Sequence, residues 1–190
     1  MGGLARQYPQ FRESAAMGAA FFCVFNAFWT TLVFFLETPP YHYGSTIAGL
    51  FGLLGAAGAA AAPLFGSTTD RKGPRYTLFL ALLTNVLAFV VLGVAGRVMA
   101  GLVAGVILMD LGVQAGHVSN QTRIYGLNPN ARSRLHTMYM ICWFIGGSLG
   151  SYFGALSWKL GGWYGVCLFA LAVLLAALAF FGRPGASPER

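Results

Sequence analysis

Long apolar stretches separated by short polar breaks run through the whole chain. Each stretch has about 20 residues, the length that one helix needs to cross a hydrocarbon core about 30 Å thick. Because a backbone in lipid must form its hydrogen bonds within its own segment, each stretch predicts a membrane-spanning α-helix. The sequence therefore predicts an all-α membrane protein with a single transmembrane domain over residues 1–190. Its six spans cover residues 15–36, 46–65, 76–96, 98–118, 137–156 and 161–182.

Charged residues are scarce and unevenly placed along this pattern. They form 9% of the chain, whereas a soluble domain carries about 25%. If the N-terminus is cytoplasmic, ten of the 12 basic residues lie inside and only Arg97 and Lys159 face outward. This bias predicts a multi-pass protein of the cell (inner) membrane with both termini in the cytoplasm. It also accounts for the net charge of +7 without a nucleic-acid partner.

Neither the cysteines nor the serines predict chemistry. Cys23, Cys142 and Cys167 each fall inside a predicted span, and their odd number argues against a disulfide framework. No Cys and His cluster has metal-ligand spacing, so we expect neither a metal nor another cofactor. The run "GGSLG" at 146–150 matches G-x-S-x-G, but it lacks the strand that precedes such a nucleophile. We therefore expect no catalytic residue and no enzyme.

The break between the second and third spans, "GSTTDRKGPR" at 66–75, concentrates charge and glycine. Its spacing, G-x-x-x-D-R-x-G-R, resembles the cytoplasmic hairpin signature of the major facilitator superfamily of secondary transporters. Residues 117–140 resemble the connection between helices ten and eleven of bacterial efflux-type members. The six spans match helices seven to twelve of the family in order, loop length and charge. The signature residues are Gly66, Asp70, Arg71, Gly73 and Arg75.

This resemblance implies a six-transmembrane-helix half-bundle built from two three-helix repeats, equivalent to the C-terminal half of a carrier. It also implies a partner, which is either a separate N-terminal half or a second copy of the chain. In the family, the hairpin aspartate, here Asp70, faces the N-terminal end of a helix in the opposite half. In a homodimer that helix would be the fifth span, entering near Asn128 and Pro129, since Asn followed by Pro is a helix-start signal.

A polar stripe interrupts the fourth span. Asp110, Gln114, His117 and Gln121 recur at intervals that keep them on one side of a helix. A charge inside the membrane is costly unless it pairs or faces water, so Asp110 marks an ion pair or a pathway. Two interpretations follow: Asp110 pairs with a hairpin cation, Arg71 or Arg75, or it carries protons together with His117. We favour pairing, because intramembrane acids pair where a basic residue is near.

The first span combines aromatic and hydrogen-bonding residues. Asn26 and Thr30 are one turn apart, and Trp29 lies beside them among several phenylalanines. By resemblance this helix lines the central cavity, and such a face suits a small amphipathic substrate. For most of the phenylalanines, contact with lipid is the simpler explanation. Asn26 is the exception, because an amide in hydrocarbon needs a partner.

Small residues in the fifth span predict close helix packing. Gly146, Gly150 and Gly154 repeat every four residues, which lets two helix backbones approach where no hydrophobic effect drives association. The resemblance implies transport of a small molecule by alternating access, as proton-coupled efflux, with membrane lipids around the bundle. The alternative from another class is a truncated or non-transporting membrane scaffold protein.

Overall fold

The computed structural model describes residues 8–43, 47–53, 69 and 71–181. In these residues the chain forms helices and no strand, which confirms the predicted all-α class. Residues 47–53 are helical, and a 3₁₀ turn at Pro129–Ala131 leads into the last helix. The long helices are α1 (Pro9–Glu37), α2 (Pro74–Ala95), α3 (Met99–Leu127) and α4 (Arg132–Phe181).

Each of these four helices is long and apolar enough to cross a membrane. The 50-residue α4 is interrupted at Gly161 and Gly162, and Gly162 has a φ of 57°, a left-handed value that favours glycine. The fifth and sixth predicted spans meet at this break. The second predicted span is described only at 47–53, so the six-helix count and the two three-helix repeats stay predictions.

Helices α1 and α3 are longer than the apolar pattern predicted. α1 begins at Pro9 rather than at Ala15, and α3 continues to Leu127 rather than ending at Val118. Hydropathy measures only the part of a helix that needs lipid, whereas helical hydrogen bonding continues through polar residues. The extra turns carry the charges Glu13 and Arg123, which lie outside the predicted spans.

Contacts between helix ends define the two ends of the bundle. Glu13 near the start of α1 pairs with Arg123 near the end of α3, and Arg75 at the start of α2 bonds to the last residue of α4. At the other end, the Tyr41 hydroxyl after α1 donates to the Gly96 carbonyl after α2, at 2.7 Å. We call the end with the Glu13–Arg123 and Arg75–Phe181 contacts the arginine-rich end. The described basic residues there are Arg12, Arg71, Lys72, Arg75, Arg123, Arg132 and Arg134.

The described chain thus confirms the predicted segregation of charge. Arg97 follows α2 beside Gly96, and its guanidinium lies 5.3 Å from the Tyr164 ring, just past the glycine break of α4. Lys159 immediately precedes that break. Arg97 and Lys159 therefore both lie opposite the arginine-rich end.

Helices α1 and α4 approach each other through small residues. A Cβ placed on Gly146 would lie 2.6 Å from the Ala19 Cα, and one on Gly150 would lie 2.7 Å from the Cys23 Cα. Gly154 likewise faces the backbone of Ala27. The glycine repeat therefore packs along an equally spaced row of small residues, which confirms the predicted close approach and identifies α1 as its partner.

An aromatic cluster connects α1, α2 and α4 opposite the arginine-rich end. The Trp163 indole Nε1–H donates to the Leu92 carbonyl at 2.8 Å, and the Trp163 ring stacks on Phe35 with centroids 3.9 Å apart. Tyr41 closes the cluster beside Phe35. Burial, and secondarily the neighbouring Tyr43, raises the pKa of Tyr41 above its usual value, so its hydroxyl remains a donor at neutral pH.

Candidate functional site

A row of hydrogen-bonding side chains crosses from α1 to α4. The Asn26 amide donates to the Phe22 carbonyl at 2.9 Å, and the Thr30 hydroxyl donates to the Ser151 hydroxyl at 3.1 Å. Asn26, Thr30 and Ser151 are half-buried, so the row is partly open on one side of the helix pair. The structure thus places the predicted pair Asn26 and Thr30 on one face and adds Ser151. Ser151 was not predicted, because a single serine among glycines carries no signal in the sequence.

Aromatic rings flank this row. Phe22 stacks on Trp143 with centroids 4.8 Å apart and meets Phe144 edge-on at 5.9 Å. Trp29 lies 6.0 Å from Phe25, and its indole Nε1 is buried without a hydrogen-bond partner among the described residues. The face therefore offers flat apolar walls and a few hydrogen-bonding groups, which is the composition of a small-molecule site.

Asp110 is buried within α3, with only 3% of its surface exposed. Its Oδ2 has no hydrogen-bond partner among the described residues. Contacts between α1 and α3 define the depth of Asp110 in the bundle. Glu13 of α1 pairs with Arg123 of α3, and Phe21, eight residues further along α1, packs on Gly116 of α3. Because antiparallel helices rise equally per residue, this register places Asp110 at the depth of Asn26.

The described residues do not support the pairing of Asp110 with the hairpin cations. The Arg75 guanidinium instead bonds to the Phe181 carbonyl at 3.4 Å and lies 4.9 Å from the Phe181 ring. Arg71 is exposed and lies three residues before the start of α2. Within the described chain the ion pair is Glu13–Arg123, at 2.8 Å. Among the described residues Arg75 thus lies at the carbonyl end of α4, which attracts cations, and the pairing of Asp110 stays a prediction.

The lower part of the predicted stripe belongs to a polar cluster. His117 lies 2.9 Å from the Gln121 amide nitrogen and 3.3 Å from the Tyr139 hydroxyl, and its ring packs 4.3 Å from Trp143. Among the described residues, no hydrogen bond joins Asp110 or Gln114 to His117. Tyr139 and Trp143 were not predicted to belong to this cluster, although their spacing of four residues indicates a shared helix face.

The hairpin signature is described only in part. Gly66 and Asp70 lie outside the described residues. Gly73 has a φ of 84°, a left-handed value that favours glycine, and stands directly before Pro74, the first residue of α2. The predicted cap at the other connection is confirmed, because the Asn128 side chain accepts a hydrogen bond from the Asn130 N–H at 2.9 Å.

The described residues contain no group of three or more His, Cys, Asp or Glu that could hold a metal ion. Cys23 and Cys167 are buried and Cys142 is half-buried, and all three thiols are free. The chemistry that the site offers is therefore hydrogen bonding, aromatic contact and one buried carboxyl group.

The chain is similar in sequence to membrane transporters. The family described as Major Facilitator Superfamily matches residues 15–190. The uncharacterized transporter YgaY of Escherichia coli O157:H7 is 38% identical over 172 residues, which cover 90% of this chain and 44% of that protein. A Streptomyces coelicolor protein described as a transporter is 33% identical over 174 residues, 91% of this chain and 40% of that protein. The chain thus spans less than half the length of these relatives. No solved structure matches it.

Proposed function

Because the chain belongs to the major facilitator superfamily, we propose that it takes part in moving a small molecule across a membrane by alternating access. It corresponds to the C-terminal six-helix half of such a carrier. Its partner is a separate N-terminal half or a second copy of the chain, since one half cannot enclose a site at the midplane. The similarity to proteins described as transporters, which are more than twice as long, supports this arrangement.

The segregated charges support an orientation. Because cytoplasmic segments carry the excess of Lys and Arg, we propose that the arginine-rich end faces the cytoplasm and that both termini lie there. The membrane is then the inner cell membrane. The hairpin residues Gly66, Asp70, Arg71, Gly73 and Arg75 lie at the cytoplasmic seam with the partner, where Asp70 steadies the outward-facing state by facing a helix N-terminus.

The face of α1 and α4 around Thr30 is our proposed substrate wall. The observation that carries the proposal is the Thr30–Ser151 hydrogen bond across the two helices, bordered by Asn26 and the Trp29 ring. These groups lie near the middle of α1, the depth at which alternating access needs its site. Rings beside a few hydrogen-bonding groups suit an amphipathic molecule.

Asp110, with Gln114 and His117 on the same side of α3, is our proposed proton site. Asp110 is buried, lies at the depth of Asn26 and has an oxygen without a described partner. An ionised carboxylate that is buried and unpaired is costly, so a carboxyl group in such a place favours binding a proton and becoming neutral. Proton binding there would bias the carrier between its two states and drive efflux.

Transport by purified protein in lipid vesicles tests the proposal. With a proton gradient and a fluorescent amphipathic dye such as ethidium, we expect saturable, gradient-dependent dye movement that empty vesicles lack. Asp110→Asn should abolish the gradient dependence, and Thr30→Val should raise the dye concentration for half-maximal rate. Glu37→Gln is the matched control, because this carboxylate is exposed at the end of α1. Dye movement equal to that of empty vesicles would exclude transport by a homodimer, and would leave a carrier with a separate N-terminal half or a non-transporting scaffold.

A further inference from the structure

Four side chains with buried, unpaired polar atoms, Glu13, Ser14, Asn120 and Arg123, lie at neighbouring depths of α1 and α3 near the arginine-rich end. We call the region between them, on the deeper side of the Glu13–Arg123 pair, the polar compartment. That pair closes it on one side, at 2.8 Å. Eight residues along α1, about 12 Å away, the Phe21 ring packs on Gly116 and closes the other side. The compartment thus occupies roughly two turns of α1, between a charged pair and an aromatic ring.

Asn120 of α3 faces this compartment. It follows Gly116 by four residues and precedes Arg123 by three, and both of these contact α1. It also follows His117 by three residues, and His117 contacts Tyr139 of α4. The Asn120 amide therefore lies at the junction of α1 and α4, next to the Tyr139 hydroxyl. It is fully buried, yet neither its oxygen nor its nitrogen has a hydrogen bond of good geometry to a described residue.

Ser14 faces the same compartment from α1. It follows Glu13 directly and precedes Gly18 by one turn, and a Cβ on Gly18 would lie 2.8 Å from the Tyr139 hydroxyl oxygen. Ser14 is fully buried, and its hydroxyl has no partner among the described residues. The second oxygen of Glu13 and one terminal nitrogen of Arg123 are buried and unpaired in the same way.

We propose that this compartment binds internal water. Buried polar groups are almost always hydrogen-bonded, so several unpaired ones within two turns indicate a bound ligand. The unpaired set contains donors, on Asn120 and Arg123, and acceptors, on Asn120 and Glu13, and the Ser14 hydroxyl serves as either. A metal cation would meet the Arg123 charge and an anion the Glu13 charge, whereas water both donates and accepts. At about three hydrogen bonds per buried water, about two molecules satisfy these groups.

The bound water joins two features that the direct contacts leave separate. It bridges the His117–Tyr139 contact inside the membrane to the Glu13–Arg123 pair at the arginine-rich end. A hydrogen-bonded line then runs from the polar stripe of α3 to that surface. The water also solvates the free ends of an ion pair whose side chains are only 10% and 15% exposed.

Hydroxyl-radical footprinting of the whole chain in lipid nanodiscs tests the proposal, because radiolysis of bound water oxidises buried side chains beside it. Met17 lies one turn from both Glu13 and Phe21 and is 1% exposed, so it reports on the compartment. Met109 is the matched control, because it is equally buried at the depth of Phe28. We expect several-fold faster oxidation of Met17 than of Met109. Equal rates in the wild type would overturn the proposal.

Asn120→Leu separates bound water from ordinary fluctuation. Leucine has a similar size but no polar atom, so it should lower Met17 oxidation to the Met109 rate and leave Met109 unchanged. Unchanged Met17 oxidation in this variant would also contradict the proposal. If Asn120→Leu does not fold, Ser14→Ala provides the second test, with a smaller decrease expected because it removes one water partner. The readout is independent of transport, so a failed transport assay leaves this result intact.

Discussion

Replacing Gly150 by alanine should drive α1 and α4 apart. The new Cβ would lie 2.7 Å from both the Cα and the carbonyl carbon of Cys23. Carbon atoms pack at about 3.5–4.0 Å, so the helices must separate locally by about 1 Å. The obstacle is backbone, which cannot rotate away as a side chain would. Overpacking of this kind costs about 1–3 kcal/mol.

Thermal unfolding in detergent, followed with a thiol-reactive fluorogenic maleimide, measures this cost. The buried Cys23 and Cys167 become reactive on unfolding. For a chain of this size, about 1–3 kcal/mol corresponds to an unfolding temperature roughly 2–12 °C lower. Gly126→Ala is the control, because it lies in α3 and its Cβ would meet nothing within 4 Å. It isolates the helix-propensity gain of alanine over glycine, up to about 1 kcal/mol.

A graded comparison sharpens this test. Gly147→Ala should cost less than Gly150→Ala, because its Cβ would meet the edge of the Phe22 ring, which can turn aside. Equal unfolding temperatures for Gly150→Ala and Gly126→Ala would refute the reasoning. So would a larger loss at Gly147 than at Gly150, since the backbone contact would then not be the limiting one.

Three further predictions concern the ends of the bundle. Trp163→Phe keeps an aromatic ring but loses the hydrogen bond to the Leu92 carbonyl. The free energy of unfolding should therefore fall by about 0.5–1.5 kcal/mol in the same thermal assay. Because the pKa of Tyr41 is raised, the folded protein holds the Tyr41 hydroxyl proton more tightly than the unfolded chain does. The free energy of unfolding should therefore fall as pH rises above 10, and Tyr41→Phe should reduce that fall in pH-dependent melting. In intact cells, an impermeant maleimide should label Lys159→Cys, but Lys72→Cys only after permeabilisation; the reverse pattern would invert the proposed orientation.

Sequence patterns predicted individual helices better than their partners. The apolar length located α1, α2 and α3, and the spacing of Gly146, Gly150 and Gly154 predicted a close backbone approach. Nothing in those patterns indicated that α1 would be the facing helix, because in lipid every apolar face is equally satisfied. Small residues decide the pairing, and the row of small residues on α1 is interspersed with larger ones.

The candidate site was predictable only where polarity is rare. Asp110, Asn26 and Thr30 stand out because polar groups in hydrocarbon are costly. The partner of Arg123 did not stand out, since Glu13 is distant in sequence and several other cations lie at the same end. Arg75 went to the carbonyl end of α4 rather than to an acid, a choice that depends on helix ends meeting in space. Tyr139 and Ser151 resemble ordinary helix residues until their neighbours are known.

The glycine contact between α1 and α4 has a consequence for biosynthesis. Cys23 and Gly150 are 127 positions apart in the sequence. At about 5–20 residues per second, the ribosome needs roughly 6–25 s to make the second after the first. During that interval α1 sits in the bilayer without its tightest neighbour. We therefore expect newly made α1 to be held by the insertion machinery or by transient contacts until α4 has been synthesised.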